Sequence, residues 1–143
     1  MERLISLGIG YLFGIFQTAY IYGRMNGIDI REHGSGNAGT TNALRVLGKK
    51  AGIIVLLGDV AKTVLAVVAV RVLFHRQDAD WLPLLGMYAA AGAILGHNYP
   101  AQLGFKGGKG IACTAGLVLT LGPIVTALEA STFLLTVLLT RYV

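Results

Sequence analysis

Apolar residues along the chain gather into long blocks that are separated by two polar, glycine-rich stretches. Since an α-helix rises about 1.5 Å per residue, about 20 apolar residues cross the roughly 30 Å hydrocarbon core of a bilayer. The last apolar block is interrupted by Gly122-Pro123, a pair typical of a tight turn between helices. The pattern predicts an all-α integral membrane protein with about five transmembrane helices, over 4–22, 51–74, 81–96, 108–121 and 124–140.

The composition supports a membrane protein of one domain, residues 1–143. Hydrophobic residues make up 55% of the chain and charged residues 13%, about half the charged fraction of a typical soluble domain. The first apolar block is too long for a signal peptide, and no small-residue cleavage site follows it. The single cysteine, Cys113, excludes an intrachain disulfide. No basic stripe interleaved with aromatic residues indicates a nucleic-acid partner.

Lysine and arginine are unevenly distributed between the two sides of the membrane that the predicted spans define. The stretches 23–50 and 97–110 lie on one side, because two predicted spans separate them. They hold Arg24, Arg31, Arg45, Lys49, Lys50, Lys106 and Lys109. The other side has Arg3, Arg71 and Arg76, which nearby acidic residues partly offset. By the positive-inside rule, both glycine-rich loops are predicted to be cytoplasmic and the N-terminus to be outside.

The first polar stretch, 29–45, has the chemistry of an oxyanion-binding loop. Its three glycines, Gly34, Gly36 and Gly39, allow tight turns and close approach to the backbone amides, which attract anions when several converge. Arg45 adds a fixed positive charge. The glycines also match the dinucleotide-binding pattern, but an apolar segment rather than a strand precedes them, so that interpretation is rejected. A plain polar loop between two helices remains the alternative.

The second polar stretch places Lys106 and Lys109 around Gly107-Gly108, directly before a predicted helix. A helix N-terminus attracts anions, and the lysines add charge. The spacing differs from a Walker A loop, and Ile111 follows Gly110 where that motif requires lysine. The alternative is a basic anchor at the membrane surface.

Four polar residues lie within or at the edge of the apolar blocks. Asp59 and Lys62 can pair on one helix face, and charges inside a span indicate a functional site or a neutralised structural pair. His97, at the membrane edge, has the chemistry of a general base, although a single histidine is more often structural. Glu129 has no sequence-local partner and is assigned no role.

Three motifs in order resemble the bacterial acyl-phosphate:glycerol-3-phosphate acyltransferase family (PlsY). The first is Asp29-Ile-Arg-Glu-His-Gly-Ser-Gly-Asn-Ala-Gly-Thr-Thr-Asn42, and the second is Gly58-Asp-Val-Ala-Lys62. The third is Gly96-His-Asn-Tyr-Pro100 followed by Phe105-Lys-Gly-Gly-Lys-Gly110. The resemblance covers essentially the whole chain and departs from the family mildly at Thr63 and Cys113.

The resemblance implies a multi-pass enzyme of the bacterial inner membrane. It would move a fatty acyl group from acyl phosphate to the 1-hydroxyl of glycerol 3-phosphate, giving lysophosphatidic acid for phospholipid synthesis. It implies no cofactor, no metal ion and no protein nucleophile, since acyl phosphate is already activated. Membrane lipid is the expected surrounding, and functional coupling to the enzyme that makes acyl phosphate is a further expectation.

The resemblance also implies the site residues. The first loop would bind phosphate through Gly34, Ser35, Gly36, Asn37, Gly39, Thr41, Asn42 and Arg45. The second loop would bind it through Lys106, Gly107, Gly108, Lys109 and Gly110. The implied catalytic residues are His97, Lys106 and Ser35, supported by the Asp59–Lys62 pair. The acceptor hydroxyl would be deprotonated by His97 or by the substrate's own phosphate.

Family members have seven spans and continue past the equivalent of Val143 with a basic C-terminal motif. The chain is therefore expected to be a C-terminally truncated member, with an inactive fragment as one alternative function. A small transporter or channel subunit with anion-binding loops is the other. A transporter would show internal repeats and helices interrupted at mid-membrane, whereas here the polar chemistry gathers at one face.

Overall fold

The computed structural model describes residues 1–141, and that part of the chain is helical without β-strands. The predicted all-α fold class is therefore confirmed. The seven α-helices are α1 Glu2–Gly14, α2 Thr18–Met25, α3 Thr40–Leu47, α4 Lys49–Leu73, α5 Trp81–Asn98, α6 Ile111–Leu121 and α7 Pro123–Thr140. Short 3₁₀ turns, Ile30–Glu32 and Ala101–Leu103, lie in the two polar stretches. The expectation about the chain end at Val143 lies outside the described residues.

Within the described residues, three helical segments are long and apolar enough to cross a membrane, and the chain is a multi-pass membrane protein. They are Glu2–Met25, Lys49–Leu73 and Pro123–Thr140. Helices α5 and α6 have 18 and 11 residues and lie close to the bounds predicted for them. Their crossing of the bilayer, and with it the total of five spans, stays a prediction. The predicted turn at Gly122 separates α6 from α7.

The first predicted span, 4–22, is interrupted. Helix α1 ends at Gly14 and α2 begins at Thr18, so the carbonyl groups between them are released from helical hydrogen bonding. Buried side chains use two of these carbonyls. Gln17 Nε2 donates to Gly14 O at 3.4 Å, and Lys62 Nζ donates to Phe16 O at 2.7 Å. No Pro in the sequence marks this break, and one of its two donors, Lys62, lies on another helix.

Helices α1 and α5 touch at the level of their backbones. A Cβ atom added at Gly10 or Gly14 would collide with the carbonyl of Ala89 or Ala93 on α5. In the opposite direction, a Cβ atom added at Gly92 would collide with the carbonyl of Leu7. Small residues at spacings of four are the usual means by which membrane helices approach closely, since lipid provides no hydrophobic drive for association. This contact fixes α5, and with it His97, against the broken first span.

Helix α4 is the central element and packs against α1, α2, α3, α5 and α6. Its Val67 and Val70 are fully buried with Leu85 of α5. Toward the first polar stretch, α4 buries Ala51 and Val55 beneath the loop residue Ile30. The outward positions of the helices carry exposed leucine and valine side chains, as expected where lipid surrounds a helix.

Two features differ from the sequence-based expectations. The stretch 23–50, predicted as a loop, contains the helix α3, which begins directly after the last of the three glycines, Gly39. Helix α7 packs on α6 and has no buried residue, so Glu129 is exposed in this structure and remains without an assigned role.

Candidate functional site

The first glycine loop is folded around a buried asparagine. Gly34 and Gly36 adopt positive φ angles of 61° and 70°, which side chains other than glycine rarely tolerate. The Asn42 amide donates to Ile30 O at 3.1 Å and to His33 O at 2.9 Å. Its Oδ1 accepts the Ser35 N–H at 2.8 Å. Asn42, predicted to bind phosphate, therefore has its side chain engaged in holding the loop, and a direct contact to phosphate stays a prediction.

Arg31 joins the first glycine loop to the second. Its guanidinium forms a two-point ion pair with Asp29, with N–O distances of 3.0 and 2.7 Å. It also donates to Leu103 O, in the second polar stretch, at 3.3 Å. The guanidinium lies over the Tyr20 ring, 4.9 Å from its centroid. The hydrogen bond from Arg31 lowers the pKa of Asp29 from 3.8 to about 2.

This ion pair gives a prediction about acid stability. Because the folded state lowers the Asp29 pKa, the pair stabilises the protein above about pH 4, and this stabilisation is lost as pH falls toward about 2. We expect Asp29→Asn to lower stability by up to about 1 kcal/mol at pH 6. The gap in melting temperature between wild type and variant in detergent should close progressively below pH 4. A gap that is the same at pH 6 and pH 3 would contradict this account.

The second glycine loop is fastened to the C-terminal end of α5. The Gly107 N–H donates to Asn98 O at 3.1 Å, and the Gly108 N–H donates to His97 O at 3.0 Å. Nearby, Phe105 adopts a positive φ of 61°, an unusual conformation for a residue other than glycine. Such strain is retained where the surrounding structure imposes it, often at functional sites.

The two glycine loops meet, as the predicted topology requires. A Cβ atom built on Gly108 would collide with His97 Nε2 and would lie 2.9 Å from Ala38 O of the first loop. Two helices begin at the ends of these loops, α3 after Gly39 and α6 after Gly110. The first amides of each helix have no acceptor within their own helix and carry partial positive charge. We call this region, residues 38–39 and 107–110, the loop junction.

The predicted polar side chains of the two loops are accessible. Exposed positions include Ser35, Thr41, Arg45, Lys106 and Lys109, and Asn37 is half-buried. Thr41 and Arg45 are four residues apart on α3 and therefore share a face. Among the described residues, no carboxylate lies within ion-pair distance of the three cationic side chains. These charges are available to an anionic ligand.

Beneath the loop junction lies a buried charged cluster, Asp59, Lys62 and His97. Lys62 Nζ lies 2.9 Å from Asp59 Oδ1 and 2.8 Å from His97 Nδ1. Thr18 donates a hydrogen bond to Asp59 Oδ1 at 3.1 Å. The predicted i,i+3 pair is therefore present, and His97, the residue predicted to be catalytic, contacts its lysine. At 3% exposure, His97 reaches the junction only through its Nε2 edge, against Gly108.

Asp59, His97 and Cys113 are close enough to hold a metal ion, since their ligand atoms lie within 4.8 Å of one another. Lys62 Nζ, however, lies between the carboxylate and the imidazole at hydrogen-bonding distance from both. The cluster thus contains its own cation, and the donor geometry favours the ammonium over a metal ion. Cys113 is buried on α6, consistent with a packing role.

Two buried oxygen atoms near the glycine loops have no hydrogen-bond partner among the described residues. They are Thr40 Oγ1, at the start of α3, and Asn98 Oδ1. The latter would lie 2.8 Å from a Cβ atom on Gly110. Buried polar groups are usually satisfied, so both are candidates for ligand contacts. Sequence reasoning missed them, although the position of Asn98 directly after His97 was the available signal.

The fold and the junction define a helical membrane protein with a basic surface built on two glycine loops. The family model of the glycerol-3-phosphate acyltransferases matches residues 4–143. The chain belongs to this family. Named relatives include the glycerol-3-phosphate acyltransferase of Clostridioides difficile, 46% identical over 98% of this chain and 69% of the relative. That of Chlorobium phaeobacteroides is 42% identical over 98% of this chain and 62% of the relative.

A solved structure has the same fold. The crystal structure of PlsY (YgiH) in its glycerol 3-phosphate form superimposes with a TM-score of 0.83 at 32% identity, covering 99% of this chain and 68% of that one. The same protein in its lysophosphatidic acid form gives a TM-score of 0.79. The chain thus spans about two thirds of the length of the relatives that it matches.

Proposed function

We propose that the chain transfers a fatty acyl group from acyl phosphate to the 1-hydroxyl of glycerol 3-phosphate, giving lysophosphatidic acid. The observation that carries this proposal is the loop junction, where two glycine loops and the N-termini of α3 and α6 come together. Both substrates carry phosphate, so a junction of two anion-attracting elements suits them. Family membership supports the acceptor, and the choice of acyl phosphate as donor rests on the motifs.

The proposed reaction is a direct displacement at the acyl carbon. The acceptor oxygen forms an ester bond with the carbonyl carbon, the bond to the phosphate oxygen breaks, and inorganic phosphate leaves. The hydroxyl proton passes to a base, either His97 or a phosphate oxygen of the substrate. Amides of the second loop and Lys106 stabilise the charge that develops on the carbonyl oxygen. Ser35, Asn37, Thr41 and Arg45 hold phosphate from the first loop.

Orientation and location follow from the same proposal. The glycine loops face the cytoplasm of a bacterial cell and the chain lies in the inner membrane, as the distribution of lysine and arginine favours. Acyl phosphate would reach the junction from the membrane, and glycerol 3-phosphate would reach it from water. Functional coupling to the enzyme that makes acyl phosphate is consistent with this placement.

A transporter is the second candidate, because the interruption between α1 and α2 lies beside buried charges. Broken helices at mid-membrane are a feature of transporters, where freed carbonyls bind the transported ion. Here Phe16 O accepts a hydrogen bond from Lys62, so this carbonyl is already occupied by the chain itself. The break therefore provides a hydrogen-bond acceptor for Lys62 of the buried cluster. An enzyme is the better interpretation.

The test of the proposed function is conversion of acyl phosphate and glycerol 3-phosphate to lysophosphatidic acid by the purified 143-residue chain in detergent. The Ser35→Ala, Lys106→Ala double variant is the blank, because both exposed side chains can be removed without leaving a buried cavity. Product above the blank supports the proposal. Absence of product from protein with a cooperative melting transition would contradict it for this chain.

Lys106, one of the two exposed lysines of the second loop, gives a prediction about the size of the loss in rate. Lys106→Ala should reduce kcat/KM by about 10- to 100-fold, because a hydrogen bond to a charged group contributes about 1.5–3 kcal/mol. Lys50→Ala, which removes an exposed lysine at the start of α4, is the matched control and should leave the rate unchanged. If Lys106→Ala lost function only in sealed vesicles and not in detergent, the transporter would be the better account.

A further inference from the structure

The side chain of Lys62 lies against one of the two nitrogens of the His97 ring. Lys62 Nζ lies 2.8 Å from His97 Nδ1, and an ammonium group can only donate. Nδ1 must therefore accept, which leaves a neutral ring with its proton on Nε2. If both ring nitrogens were protonated, the Nδ1–H group would point at the ammonium, and two donors would face each other at 2.8 Å.

The ammonium is held firmly in this position. It has three hydrogens and three acceptors, namely Phe16 O at 2.7 Å, Asp59 Oδ1 at 2.9 Å and His97 Nδ1 at 2.8 Å. Asp59 Oδ1 lies 3.7 Å from His97 Nδ1, beyond hydrogen-bonding distance. The partner of Nδ1 is thus the ammonium, and the carboxylate compensates the ammonium charge.

The opposite edge of the ring faces the loop junction. A Cβ atom on Gly108 would collide with His97 Nε2 and would meet Ala38 O. Nε2 makes no hydrogen bond within the described part of the chain. The ring is buried, so this N–H group is directed at the place where the two loops meet.

We propose that Lys62 is a positioning residue that fixes His97 as a neutral hydrogen-bond donor, through Nε2, at the loop junction. The donor would serve a phosphate or carbonyl oxygen of the bound substrates. This assignment removes His97 from the role of base in acyl transfer. The kinetic consequences rest on the proposed function, whereas the protonation pattern is a property of the chain itself.

Few titratable groups surround the ring. Asp59 and Lys62 face it from α4, and Cys113 faces it from α6. Lys106 and Lys109 of the adjoining loop are exposed. Thr18, on α2, binds Asp59 and does not titrate. The ammonium is therefore the one cation within hydrogen-bonding distance of the ring among the described residues.

The direct test is NMR of the full chain labelled with ¹⁵N-histidine in lipid nanodiscs. Two-bond ¹H–¹⁵N spectra distinguish the two neutral forms and the doubly protonated form of each ring. The chain has 3 histidines, and a His97→Gln sample identifies the signals of His97. We expect Nδ1 of His97 to be unprotonated and Nε2 protonated from about pH 5 to 8, the range of histidine switches. A protonated Nδ1 anywhere in that range would overturn the proposal.

A neutral variant of the pair tests whether Lys62 is the cause. Asp59→Asn with Lys62→Met removes both charges together, so neither is left buried alone. In this variant the His97 signals should show both neutral forms or gain the doubly protonated form as pH falls. If the wild-type pattern persisted without the ammonium, Lys62 would not be the residue that sets it.

Kinetics provide a separate readout if the chain is active. His97→Gln retains an N–H donor and should stay within about tenfold of wild type, whereas His97→Ala should lose about 100-fold, typical for one stabilising donor. Because the substrate phosphate itself titrates at about pH 6, the readout is the ratio of the two rates: the rate of the neutral variant relative to wild type should fall toward acid. Equal losses for Gln and Ala, or a ratio that does not change with pH, would contradict the donor role. Absence of any product would count against the proposed function and leave the NMR result intact.

Discussion

Replacement of Gly107 by alanine is expected to lower kcat/KM for glycerol 3-phosphate by about 100-fold or more. The new methyl group would collide with His97 O, and it would lie 2.7 Å from Pro100 Cδ and 3.0 Å from Asn98 O. The two carbonyl oxygens belong to the end of α5 and Pro100 lies just beyond it, so this part of the chain cannot yield without moving His97. The loop must therefore shift, and a displacement of about 1 Å is sufficient for a 10²-fold loss.

The matched control is Gly8→Ala, on α1. A Cβ atom at Gly8 has nothing within 4 Å, and alanine is the better helix former, so activity should be unchanged. Both variants should be compared by product formation and by melting temperature in the same detergent. A folded Gly107→Ala protein with wild-type kinetics would mean that the second loop lies away from the reacting groups.

The second large effect is expected on stability, from Lys62→Met. Removal of the ammonium leaves the carboxylate of Asp59, which is 1% exposed, without its compensating charge. It also removes the donor to Phe16 O at the interruption between α1 and α2. Breaking a buried ion pair on one side costs about 3–5 kcal/mol. The free energy of unfolding in mixed micelles, measured by denaturant titration, should fall by that amount.

A second substitution distinguishes the loss of charge compensation from the loss of packing around the lysine side chain. Asp59→Asn added to Lys62→Met should restore most of the loss, since the remaining amide can still accept from Thr18. Lys49→Met, at the exposed start of α4, should change stability by no more than about 0.5 kcal/mol. If the double variant were as unstable as Lys62→Met, the loss would come from packing of the lysine side chain.

The sequence predicts the long apolar helices well, because a block of about 20 apolar residues has the length of a helix that crosses a bilayer. The block 51–74 became α4, Lys49–Leu73, and Gly122-Pro123 separated α6 from α7 as predicted. The interruption of the first span was not predicted, because no proline marks it and one of the residues that bind the freed carbonyls lies far along the chain. Gln17 Nε2 donates to Gly14 O, and Lys62 donates to Phe16 O. Helix α3 was also missed, because it has only 8 residues and half of them are polar.

The sequence indicated the parts of the candidate site rather than the connections between them. Glycine spacing and basic residues identified both loops, and i,i+3 spacing identified the Asp59–Lys62 pair. No spacing rule could join that pair to His97, since they lie on different helices. Asn42 was predicted from the family resemblance to bind phosphate, yet its amide is bonded to the loop backbone. Polarity identifies residues with hydrogen bonds to make, and the fold decides with which partners they make them.

The glycine contact between α1 and α5 has a consequence for how the protein is made. Helix α1 is synthesised before α5, so its face with Gly10 and Gly14 lies against lipid until α5 is available. Until then only the packing between α1 and α5 is missing, since lipid chains are as apolar as a helix surface. Asp59 and Lys62 emerge together on α4 and can neutralise each other meanwhile. His97 lies on α5, so the cluster is complete only when α5 packs against the earlier helices.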